Sequence, residues 1–116
     1  MSAEDPVMRA LREIDRILRS YDIQDSFLRE LISWREHEPE RFSQEVRSND
    51  LWGGAGSISD ISLRSMRPER ERAPGDERLL DAALADLAEA LDAEGMATEE
   101  IRARGALFRR SAERTR

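Results

Sequence analysis

The stretch DERLLDAALADLAEALDA, residues 76–93, leaves few conformations open. At 100° per residue, Leu80, Ala83, Leu84, Leu87 and Leu91 fall on one arc, with Arg78, Asp81, Ala85, Glu89 and Asp92 on the other. A strand would send the leucines to opposite faces, so the pattern calls for an amphipathic helix and for neighbours that cover its apolar side. The helix is expected over 76–94, with Asp76 as its cap and Gly95 as its stop, because glycine accepts the left-handed conformation in which helices commonly end.

The rest of the chain reads in the same way. Asp5 is placed to cap a first helix over 6–20, with Pro6 at its first position and Val7, Leu11, Ile14, Leu18 and Tyr21 at helical spacing. A second helix over 23–36, started by Asp22 or Asp25, carries Ile23, Phe27, Leu31 and Trp34 as its stripe and Leu28 and Ile32 on the flank. Pro39 opens a shorter helix over 39–48, where Phe42 and Val46 face the core together. A last helix over 98–110 begins at Thr98, with Ile101, Gly105 and Phe108 as a narrow inner face and the tail RRSAERTR expected to fray. Between them, 51–63 is a glycine-rich turn and 64–75, with two prolines and Met66 as its one large apolar side chain, is expected to be a mobile linker. Aromatic residues make up only 5% of the 116, so the core has to be built from Leu, Ile, Val and Ala. The expected fold class is all-α: a single domain, 1–116, forming a compact antiparallel bundle of about five helices.

Several chemistries are excluded or weakened by residue content. The absence of cysteine removes disulfides, thiolate metal sites and thiol nucleophiles. The N-terminus carries acids where a secretion signal has a basic start and an apolar run, and no stretch approaches the roughly 20 apolar residues that span a bilayer; a cytoplasmic protein without membrane contact is expected. His37, the single histidine, stands between Glu36 and Glu38 on an exposed helix end with no partner for catalysis. Carboxylates on one helix do not converge as a hard cation requires, so neither metal nor other cofactor is expected. Net charge of -6 opposes nucleic-acid binding, and the arginines of the last helix have no interleaved aromatic beyond Phe108, whose spacing assigns it to the core. No nucleophile and base can be brought together from the pattern, so the expectation is a protein that is not an enzyme.

The segment LWGGAGSISDISL, residues 51–63, interrupts this charged helical pattern and carries a single charge, Asp60. A Walker loop needs a lysine, and all 19 basic residues are arginine; a dinucleotide loop needs a preceding strand. Gly53, Gly54 and Gly56 instead permit a tight turn, with Ser57 and Asp60 at the spacing of a capping box. Leu51, Trp52, Gly53, Gly54, Gly56, Ser57 and Asp60 together resemble the signature L-[WY]-G-G-x-G-S-x-x-D of a small bacterial all-helical domain-of-unknown-function family. That resemblance implies two or three helices before the segment and one or two after it, and no activity. The layout is also similar to the small helical immunity proteins of bacterial toxin systems, which implies a protein that binds and occludes a toxin.

The charge map fits that implication. Residues 76–100 hold nine acids against Arg78 alone, and residues 102–116 hold six arginines against Glu113. The basic last helix can lie against the acidic one before it. The acidic helix can also present Asp81, Asp86, Glu89 and Asp92 to the basic cleft of a toxin or other enzyme, where complementary charge raises encounter rate and specificity. Trp52 is either a plug for the end of the bundle or an interface anchor, since tryptophan is enriched at binding hot spots. The other class of function is a helical scaffold or regulatory module, self-associating through Trp52 and the loop.

Overall fold

The computed structural model describes residues 5–21, 26–47, 52 and 76–114. The protein is all-α: α1 (Pro6–Arg19), α2 (Ser26–His37), α3 (Pro39–Glu45), α4 (Asp76–Ala93) and α5 (Glu99–Arg114), with no strand among the described residues. The linker at 64–75 and the glycine segment, apart from Trp52, lie outside the described residues, as do the proposed starts of the second helix at Asp22 and Asp25.

Local signals set most helix ends. Asp5 Oδ1 accepts from the Val7 amide at 3.1 Å and Pro6 fills the next position, where its missing N–H leaves no bond unmade. Thr98 Oγ1 accepts from the Ile101 amide at 3.2 Å, and Glu99 and Glu100 sit at the positive end of the α5 dipole. At the end of α4, Gly95 takes φ 76°, its amide donates to Asp92 O and the Met96 amide donates to Leu91 O, the paired bonds of a Schellman turn. The turn folds Met96 back onto the core and starts the reversal into α5.

Packing runs in a chain of neighbours: α3 on α2, α2 on α1, α1 on α4 and α4 on α5. Because α1 lies between two helices, its burial is wider than one stripe. Val7, Leu11, Ile14, Leu18 and Tyr21 are buried as expected, and Met8, Ala10 and Ile17 are buried as well. In α2 the centre of the buried face is Leu28 and Leu31, each fully enclosed, while Phe27 is half-buried and meets Trp34 edge to face at 6.2 Å. Leu28 is therefore central where a flank position was expected; α2 is turned by its contacts with both α1 and α3. Phe42 and Val46 reach the core together, although α3 ends at Glu45, short of the expected 48.

The α4 and α5 hairpin departs most from the expectation. Leu80, Ala83, Leu84, Leu87 and Leu91 form the buried stripe, but Ala85 and Ala88 are buried too. By periodicity Ala85 belongs to the outer arc; it is covered because α5 occupies a second face of α4. Small residues on that face let the helices approach closely, with Gly105 opposite Ala88. The tail expected to fray is helical to Arg114, held by buried Ala112 and by Ser111, whose hydroxyl donates to Asp81 Oδ2 at 2.7 Å.

Candidate partner-binding surface

The acidic side of α4 and the basic side of α5 meet along an antiparallel seam. Asp81 is half-buried in it, its carboxylate accepting from Ser111. One turn and a half further on, the Arg109 guanidinium lies across Asp86 and Glu89, donating to Glu89 from both Nε and Nη2 at 3.1 Å and to Asp86 from Nη2. Those bonds, first to Glu89 and then to Asp86, raise the Arg109 pKa further above its ordinary value, while burial opposes the rise. Arg102 closes the far end, donating to Asp92 Oδ1 at 3.2 Å and to the Ala97 carbonyl.

Of the four carboxylates expected to face a partner, three remain on the surface. The side chains of Asp86, Glu89 and Asp92 keep 60%, 62% and 50% of their exposure despite their arginine partners. Their spacing of three residues places them along one side of about a turn and a half of helix. Asp81, the fourth, is instead directed into the α4 and α5 seam. Trp52 is 1% exposed and packed in the core, and its indole Nε1 donates to the Val46 carbonyl at 2.9 Å. It occupies the plug position, with neither its ring nor its N–H presented to solvent.

A second charged junction is centred on Arg35. Arg35 donates from Nε and Nη2 to the two oxygens of Asp5, at 2.7 and 3.1 Å, and from Nη2 to both oxygens of Glu94. Its guanidinium also lies 5.1 Å from the centre of the Phe42 ring. One side chain thus ties the start of α1, the end of α4 and the face of α3. The signal was present: Arg35 follows Leu28 by seven residues and Leu31 by four, which puts a charge on the buried stripe of α2, where it needs partners from other helices. The Asp5 carboxyl is held below its usual pKa chiefly by the Arg35 hydrogen bond, against the opposing effect of burial.

His37 lies on the surface at the end of α2, 3.6 Å from Glu36. Among the described residues no group of three or more His, Asp or Glu side chains is arranged to hold a metal ion, and no described helix is long and apolar enough to cross a membrane. The chain matches no family model, no curated protein and no solved structure.

Proposed function

We propose that this protein is a non-catalytic binding module that lays Asp86, Glu89 and Asp92 against a basic surface of a protein partner. In the specific form of the proposal the partner is a bacterial toxin whose basic active-site cleft is occluded, as by an immunity protein. The observation that carries the reading is the row of three carboxylates, each at least half exposed, on a helix otherwise buried on two faces. A helix so anchored presents the row rigidly, so that binding orders few further groups. Arg102 and Arg109 reach the row as long side chains from α5, and a partner's arginines or lysines can share the same oxygens, since a carboxylate has room for several donors. Asp81 serves the seam and Trp52 the core; neither belongs to the contact surface in this proposal.

The test is calorimetric binding to purified bacterial toxin domains that carry a basic active-site cleft, at two salt concentrations. The Asp86→Arg, Glu89→Arg double variant is expected to lose affinity by roughly a hundredfold or more, with the wild-type affinity itself falling as salt rises. Its melting curve has to be compared with that of an Arg109→Gln variant, which loses the same intramolecular bonds without reversing the surface. Full affinity in the double variant overturns the proposal.

A further inference from the structure

The outer face of α5 has a pattern that neither the core nor the acidic row uses. Gly105 faces Ala88 in α4, so residues on the opposite side of α5 point away from the bundle. Glu100, Ala103, Leu107 and Arg110 are all exposed there, and Leu107, 55% exposed, is the more exposed of the two large apolar side chains on the described surface. Their spacing is three, four and three residues, which confines them to about 80° of the helix circumference, the width of a two-helix seam. Arg102 and Arg109 are turned to α4, leaving the outer face with an acidic end at Glu99 and Glu100 and a basic residue at Arg110. Neither Glu100 nor Arg110 has an ion pair among the described residues.

We propose that this face pairs with the same face of a second copy of the chain, antiparallel, about a two-fold axis passing at the level of residue 105. This inference goes beyond the reading of the acidic row and uses a different surface. An antiparallel crossing at that level sets Glu100 opposite Arg110 of the second copy, and Arg110 opposite its Glu100. It also sets each Leu107 opposite the other copy's Ala103, where the small side chain leaves space for a leucine knob. A parallel pairing would place like charges together at both ends. The two-fold arrangement is self-complementary, as a closed dimer requires.

At 16 residues α5 is about 24 Å long, which by itself falls short of the roughly 800 Å² per partner of a standard interface. The dimer is therefore reversible and forms with rising concentration.

Sedimentation velocity on the full chain, from low micromolar to millimolar protein, is expected to show a monomer to dimer transition. Leu107→Glu should weaken it by about tenfold or more while leaving the melting temperature in place, because the side chain takes no part in the core. Glu100→Arg and Arg110→Glu should each weaken self-association, one by opposing arginines and the other by opposing glutamates. Mixing these two variants should restore a dimer containing one of each. A chain that stays monomeric throughout the range overturns the proposal. So does a dimer indifferent to Leu107→Glu, or a mixture of the two charge variants that fails to associate.

Discussion

A Cβ atom built on Gly105 would stand 2.5 Å from the Cβ of Ala88, closer than two side-chain carbons approach in practice. The near atom is fixed to the α4 backbone and cannot rotate away, so α4 and α5 would have to separate. Helix propensity alone would make Gly105→Ala stabilising by about 1 kcal/mol. The contact reverses the sign: Gly105→Ala is expected to destabilise by about 1–3 kcal/mol, read as a lower midpoint in urea. In an Ala88→Gly background the same substitution should become neutral or stabilising. Additive effects of the two changes would show that the helices are not in contact at this point.

Gly95 makes the opposite case. Nothing lies within 4 Å of a Cβ placed there, but its φ is 76°. Gly95→Ala should therefore cost about 1–2 kcal/mol through backbone conformation alone, and Gly95→Asn less, because asparagine tolerates the left-handed region. Equal melting temperatures for the alanine variant and the wild type would contradict the Schellman turn.

The junction at Arg35 predicts an acid response. The Asp5 carboxyl is held below its ordinary value of 3.8 in the folded chain, so it contributes stability that is present above the unfolded value and is lost as pH falls through the folded one. Denaturant midpoints measured downward from about pH 4 should fall more steeply for the wild type than for Arg35→Gln or Asp5→Asn. At neutral pH, Arg35→Gln should cost about 1–3 kcal/mol, because it loosens the charged bonds to Asp5 and Glu94 together. Parallel pH profiles for wild type and Arg35→Gln would refute the coupling.

Trp52 has both packing and a hydrogen bond at stake. Trp52→Ala is expected to cost about 3–5 kcal/mol as a cavity opens in the core. Trp52→Phe keeps most of the apolar volume but leaves the Val46 carbonyl without its indole donor, at a cost of about 1–3 kcal/mol. The indole proton should also exchange slowly with solvent in the wild type. A rapidly exchanging Trp52 indole would place the ring outside the core.

Where burial follows from local periodicity, the sequence was sufficient. The leucine stripe of α4, the cap at Asp5, the cap at Thr98 and the stop at Gly95 each depend on residues within one or two turns, so spacing and side-chain type decided them. The carboxylates of α4 and the arginines of α5 were likewise legible as charge, together with the possibility that the two helices neutralise one another. Their individual roles were not: Asp81 enters the seam while Asp86, Glu89 and Asp92 stay at the surface, and Ala85 is buried on a face that looked exposed. A single helical pattern marks one apolar arc and carries no record of a second neighbour. The position of α5 over α4 depends on a glycine and an alanine 17 residues apart in sequence, as the Arg35 junction depends on Asp5 and Glu94 from opposite ends of the chain. Such contacts exist only once the helices have packed, and tertiary structure alone decided them.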